Sequence, residues 1–262
     1  MFGVVPKSIW NRANPADENN LCSWAMRCLL IEDGNKLILI DNGIGDKQDA
    51  KFFSYYYLHG EDNLINSLYV AGFSPHEVTD MFLTHLHFDH CGGGVKYEDD
   101  IPTLTFPHAK YWSNPDHWKW ATEPNPREKA SFLKDNILPM KESGQLKFIN
   151  PLEASPFEQF EIGYASGHTD KMMMPMIHYK DKVICFVSDL IPSVGHLPLP
   201  YLMAYDTRPL IAMEEKEKFL NEAAENHYIL FFEHDPQHEC CTVKHTEKGV
   251  RVDRTFPLSE IL

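Results

Sequence analysis

Short apolar runs that end on a histidine or an aspartate recur along this chain, and that recurrence restricts the fold more than any single motif does. Residues 79–84 lead into His85, and residues 157–165 lead into Ser166, Gly167, His168 and Thr169. Residues 183–188 precede Asp189, residues 228–233 precede His234, and the run 36–41 closes on Asp41. Runs of this length, rich in Val, Ile, Phe and Tyr, read as strands. A sheet fixes side chains at its strand ends while the adjoining loops leave room for a substrate.

Further elements follow from local pattern. Residues 26–32 and 36–41 are apolar runs separated by Asp33, Gly34 and Asn35, which signals a hairpin. Leu64, Ile65, Leu68 and Val70 give residues 62–71 a helical spacing, closed by Gly72. Ser74 and Pro75 look like the cap and first turn of another short helix. Strands are expected at 109–112, 146–149 and 174–179, helices at 127–138 and 214–225, and a terminal hairpin over 242–255 turning at Lys248 and Gly249. The Pro- and Trp-rich stretch 114–127 reads as a surface excursion. No repeat, low-complexity tract or long linker interrupts the chain. The whole of 1–262 is expected to be a single domain in which sheets are covered by helices.

Composition narrows the function classes. The formal charge is −14 over 262 residues, and no Lys/Arg cluster is visible, so nucleic acid is not an expected partner. No apolar run approaches the roughly 18 residues of a membrane span, and the start does not read as a signal peptide. A cytoplasmic setting suits the six cysteines, Cys22, Cys28, Cys91, Cys185, Cys240 and Cys241, which form no CxxC pair. Cys91 stands out only because it directly follows His90.

The strongest local signal is Thr84, His85, Leu86, His87, Phe88, Asp89 and His90, four potential ligands within six residues directly behind a strand. Neutral imidazoles and a carboxylate suit a borderline divalent ion such as zinc. The His-x-His spacing puts both rings on one side of an extended segment. Gly92, Gly93 and Gly94 follow at once and permit close backbone packing.

The order HxHxDH, then Gly-His, then Asp, then His resembles the metallo-β-lactamase superfamily over nearly the whole chain. The resemblance implies an α/β (α+β) fold, the four-layer αββα sandwich. It implies one metal bound by His85, His87 and His168, a second bound by Asp89, His90 and His234, and Asp189 bridging both. Asp41 matches the family's early aspartate and would support the histidines by hydrogen bonding. Zinc is the default for such donors, with manganese, iron and cobalt open. A hydroxide bridging the two ions would be the nucleophile, and Asp89 would orient it and move its proton.

A narrower resemblance is carried by Met1 to Lys7 (MFGVVPK) with Trp10, by Asp189, Leu190, Ile191 and Pro192 with His196, and by Ala204, Tyr205 and Asp206. These look like the YtnP-type branch, described as quorum-quenching N-acyl homoserine lactonases and related to methyl parathion hydrolases. In that branch MFGVVPK usually follows an N-terminal strand, which is not seen ahead of Met1 here. The implied activity is hydrolysis of a small-molecule lactone or ester. The tyrosine that several such lactonases carry shortly after the bridging aspartate is absent here. His196 and Tyr205 are therefore the candidate substrate-binding donors. Phe52, Phe53, Tyr55, Tyr56, Met172, Met173 and Met174 would either wall an acyl pocket or pack as ordinary core or a homodimer contact. An arylesterase, an organophosphate hydrolase or a glyoxalase II-like thioesterase remains open on the same scaffold, as does a noncatalytic metal-binding module.

Overall fold

The computed structural model describes all of residues 1–262. The chain divides into two compact units, Cys28–Ala154 and a second made of Met1–Arg27 with Ser155–Leu262. The N-terminal part of the second carries one short helix, α1 (Lys7–Trp10).

The unit Cys28–Ala154 is built on a five-stranded sheet. Its chain order is β1 (Leu29–Asp33), β2 (Lys36–Ile40), α2 (Ala50–Phe53), α3 (Leu64–Val70), β3 (Asp80–Phe82), α4 (Phe88–Cys91), β4 (Val95–Glu98), β5 (Ile101–Leu104), β6 (Lys110–Ser113), α5 (Pro115–Thr122), α6 (Lys134–Glu142) and β7 (Leu146–Phe148). The sheet order is β1-β2-β3-β6-β7, and β4 pairs only with β5. The Asp33–Lys36 turn joins β1 and β2 as an antiparallel hairpin, while β2, β3, β6 and β7 run parallel. Leu37 and Leu39 of β2, Met81 of β3 and Tyr111 of β6 join Leu68, Trp118, Ile137 and Met140 from the helices in one core. Ile38, Ile40 and Phe82, on the opposite face, are equally buried. Burial on both faces explains why these strands read as continuous apolar runs.

Three local expectations are corrected here. Ser74 and Pro75 open a turn: Glu77 accepts both the Ser74 amide and its hydroxyl at 2.8 Å, which completes the turn before the chain enters β3. The stretch 114–127 is largely the helix α5, with His117, Trp118 and Ala121 buried. Asn114 caps it and Pro115 occupies its first turn, the signature of a helix start. The helix expected at 127–138 begins later, at Lys134, because the Asn125 side chain accepts the Arg127 and Glu128 amides and holds a turn there.

The other unit contains a six-stranded sheet ordered β13-β12-β11-β10-β9-β8. Its elements are β8 (Phe160–Ala165), β9 (Met172–Tyr179), β10 (Lys182–Phe186), α7 (Pro209–Glu225), β11 (Ile229–Phe231), β12 (Cys240–Thr246) and β13 (Gly249–Phe256). Phe219, Leu220 and Ala223 of α7 pack with Met172, Cys185, Leu230 and Cys241 of the sheet. β10 and β11 pair in parallel, with Phe186 opposite Phe231; the other pairs are antiparallel. All six cysteines are free thiols.

Candidate metal centre

Sheet topology positions the histidines and aspartates. In Cys28–Ala154, the parallel register sets Ile40 beside Phe82, so Asp41 leaves β2 at the same edge where β3 delivers Thr84 and His85. In the other unit, β8, β10 and β11 all run the same way, and His168, Asp189 and His234 each fall three residues beyond the last residue of their strand. Carboxyl ends of co-directional strands are where sheet proteins commonly build sites.

Asp41 organises the first cluster. It is fully buried and sits at φ 54°, a left-handed conformation that aspartate tolerates better than most residues. Its Oδ1 accepts the Thr84 amide at 2.8 Å, and its Oδ2 accepts the Thr84 hydroxyl at 2.6 Å and faces His90 Nδ1 at 3.0 Å. Thr84 Oγ1 lies 3.1 Å from His85 Nδ1, and Glu128 Oε1 lies 3.3 Å from His87 Nε2. The His117 ring accepts the Leu86 amide at 2.9 Å. Asp89, at the start of α4, keeps its side chain about a third exposed, with Oδ2 3.9 Å from His90 Nε2. Two of the three glycines behind it are sterically required: a Cβ on Gly92 or Gly93 would sit 2.2 Å from the carbonyl oxygen of Ile44 or Asn42. Lys47 secures the same turn by donating to the Gly92 carbonyl. Cys91 points into the core, its thiol 3.4 Å from the Leu86 carbonyl, and burial pushes that thiol up to about 12.

This arrangement fits a cation. With the outer nitrogens of His85 and His87 occupied, their inner nitrogens, Nε2 and Nδ1, face each other at 3.0 Å. Two imidazole nitrogens that close share either a proton or a metal ion. Two nitrogens bound to one tetrahedral zinc at about 2.0–2.1 Å would stand about 3.3 Å apart.

The second cluster centres on Asp189. Its Oδ2 is 3.0 Å from His168 Nε2, and its Oδ1 is 3.0 Å from His234 Nε2. The outer nitrogens are again held by oxygens, His168 Nδ1 by Asp206 at 3.0 Å and His234 Nδ1 by the Ala25 carbonyl at 2.8 Å. Burial alone would lower the His168 pKa, but Asp189 and Asp206 overcome it and raise it to about 10. A proton thus occupies the place a metal would compete for. Ser188, just before Asp189, sits at φ 43°, a strained conformation of the kind that gathers at functional sites. His85, His87, Asp89, His90, His168, Asp189 and His234 all belong to donor groups suited to holding a metal ion.

The two candidate substrate residues differ sharply in exposure. His196 is buried, stacked on Phe2 at 4.2 Å with Nδ1 2.8 Å from Ser193 Oγ, and burial together with the Lys216 cation pushes its pKa down to about 3. Tyr205 is 61% exposed. Sequence reasoning missed Glu128, His117 and Asp206. Asp206 was within reach, since the segment Ala204 to Asp206 stood out and the tyrosine was preferred over the carboxylate. Glu128 and His117 carry no sequence signal, because only folding brings them to the HxHxDH segment.

Residues 27–234 match the family model of the metallo-beta-lactamase superfamily. The chain belongs to the metallo-beta-lactamase superfamily. Within that superfamily it is 29% identical over 96 residues to the N-acyl homoserine lactonase AiiA of Bacillus thuringiensis subsp. kurstaki, a match that spans 33% of this chain and 37% of the lactonase. It superposes on a probable metal-dependent hydrolase from Staphylococcus aureus with a TM-score of 0.87 at 25% identity, covering 98% of this chain and 90% of that one. For AidC, a dizinc quorum-quenching lactonase in complex with a product, the TM-score is 0.72 at 27% identity, covering 89% and 81%. The mixed α/β architecture with several sheets is thus that of the metallo-β-lactamase fold. No helix is long and apolar enough to cross a membrane.

Proposed function

We propose that the chain is a metal-dependent hydrolase with a dinuclear centre, and that it opens lactone rings of the N-acyl homoserine lactone class. One ion would be held by His85, His87 and His168, and the other by Asp89, His90 and His234. Asp189 would be shared, and the observation that carries the reading is its carboxylate, which offers one oxygen towards His168 and the other towards His234. Such ions, zinc by default for this donor set, would supply Lewis acidity towards an ester carbonyl and lower the pKa of water.

The chain's own residues then have definite tasks. Asp41, Thr84, Asp206 and the Ala25 carbonyl fix the rings of His90, His85, His168 and His234, so that each presents one nitrogen inward. Asp89, the one partly exposed carboxylate of the set, would take a proton from the attacking water. Water adds to the lactone carbonyl carbon, the ring C–O bond breaks, and Asp89 returns the proton to the departing alkoxide. Phe88, inside the motif, packs against Phe52 at 5.3 Å and Tyr56 at 4.8 Å. That half-exposed aromatic surface suits an acyl chain. Met172, Met173 and Met174, by contrast, are buried in β9.

The test is hydrolysis of homoserine lactones of graded acyl length beside aryl ester, thioester and phosphotriester substrates, with metal content measured on the same sample. Two metals per chain and fastest turnover of a lactone are expected. Preference for one of the other substrates would move the assignment within the hydrolases. Full metal loading with no turnover of any of them would leave a metal-binding module.

A further inference from the structure

His87 can offer either ring nitrogen, and which one is offered depends on where its single proton sits. Its Nε2 lies 3.3 Å from Glu128 Oε1, and both side chains are almost wholly buried. Glu128 is not free to turn away. Its Oε2 accepts the Trp120 indole N–H at 2.7 Å and the Asn125 amide at 2.6 Å, while Asn125 Oδ1 accepts the Glu128 backbone amide at 3.2 Å. The segment carrying it is tied to the motif on either side of His87. Phe88 N donates to the Ser131 carbonyl at 3.0 Å, Leu86 N donates to His117 at 2.9 Å, and the Phe132 ring packs on His87 at 4.8 Å. Three consecutive residues, Leu86, His87 and Phe88, are thereby braced by the stretch 114–132.

We propose that Glu128 is a positioning residue that dictates the tautomer of His87 and so presents Nδ1 to a divalent cation. The inference rests on the reading that His85 and His87 ligate a metal. A carboxylate is acceptor-only, so it keeps the proton on Nε2 and leaves the Nδ1 lone pair pointing at His85 Nε2. The crowding around Glu128 gives an unusual consequence for its nearest isostere. A glutamine has one acceptor oxygen, and Trp120 and Asn125 both claim it, so its NH2 would face His87 Nε2. That nitrogen would then have to accept, the proton would move to Nδ1, and the ligand position would be blocked. Glu128→Gln is therefore more damaging to metal binding than Glu128→Ala, which leaves His87 free to choose either tautomer.

Zinc or cobalt affinity is measured by chelator competition on the full chain, alongside thermal unfolding of the metal-free variants. Glu128→Ala should weaken binding at one of the two sites by about 10–100-fold, and Glu128→Gln should weaken the same site further while unfolding no earlier than Glu128→Ala. Nitrogen-15 NMR of the metal-free wild type should show His87 protonated at Nε2, a readout that does not require the variants to fold. The proposal is overturned if Glu128→Gln binds metal as tightly as wild type, if both variants lose metal equally, or if His87 carries its proton on Nδ1. A wild type that binds no metal would instead sink the dinuclear reading and leave the tautomer measurement standing.

Discussion

Gly167 precedes the ligand candidate His168, and replacing it with alanine is the sharpest test of how that side chain is held. A Cβ at this position would lie 2.2 Å from the backbone nitrogen of Ala212, 2.3 Å from its Cα and 2.5 Å from its Cβ. These atoms belong to α7, whose backbone cannot swing aside as a flexible side chain can. Against an ordinary contact starting at 3.4 Å, relief requires a movement of about 1.2 Å. The loop is poorly placed to move. Ser166 N and Gly167 N donate to the Glu215 carboxylate at 2.8 and 2.9 Å, and Arg208 N and Thr207 N donate to the Gly167 and His168 carbonyls at 2.8 and 3.2 Å. Overpacking of this kind costs about 1–3 kcal/mol, and one broken bond to the Glu215 carboxylate adds about 1.5–3 kcal/mol. A net loss of about 2.5–6 kcal/mol corresponds to a fall of roughly 5–24 °C in midpoint. His168 would also shift by more than the roughly 0.5 Å that a functional constellation tolerates, so metal content should drop. The control is Gly163→Ala in β8, where the new Cβ meets Met174 Cε at 3.4 Å and the Met174 carbonyl oxygen at 3.6 Å, both ordinary contact distances. Thermal unfolding and elemental analysis of both variants decide the matter. A Gly167→Ala protein as stable and as metal-loaded as Gly163→Ala would refute the packing argument.

Three further outcomes are expected. Asp189→Ala should lose most bound metal and activity, because both oxygens of that carboxylate face candidate ligands; two metals per chain with normal turnover would contradict its shared role. Stabilisation by added zinc should grow as pH rises from about 6.5 towards 9. The raised His168 pKa means its proton supports the metal-free fold below the unfolded value, and that support is lost as pH climbs towards about 10, where metal replaces it. Lys216, whose pKa burial lowers to about 7, acts in the opposite sense in both forms, so the zinc-induced shift in midpoint is the informative quantity; a shift that is flat with pH would count against proton competition. Lys216→Met should destabilise the fold by about 2–5 kcal/mol in denaturant titrations. Its ammonium satisfies the carbonyls of His196, Pro198 and Tyr201 at 2.8, 3.1 and 3.0 Å, and methionine offers no donor to replace it.

The candidate ligand set was legible because its chemistry is written in residue type and order. His85 to His90 sit in one stretch behind an apolar run, and His168, Asp189 and His234 each follow a strand. Strand positions came through for the same reason, since runs such as Leu37 to Ile40 and Ile229 to Phe231 are buried on both faces and have no polar alternation to confuse the pattern. Helix starts were harder. The cap and proline that begin α5 were passed over because a Pro- and Trp-rich composition suggested a loop.

Sequence alone thus determined the candidate metal-binding side chains, the strands that deliver them and the family. Only the tertiary structure brings to four of these rings an acceptor distant in the chain: Asp41 to His90, Glu128 to His87, Asp206 to His168 and the Ala25 carbonyl to His234. A tautomer depends on the acceptor that meets the ring, and no local pattern encodes an acceptor that arrives only when the chain folds.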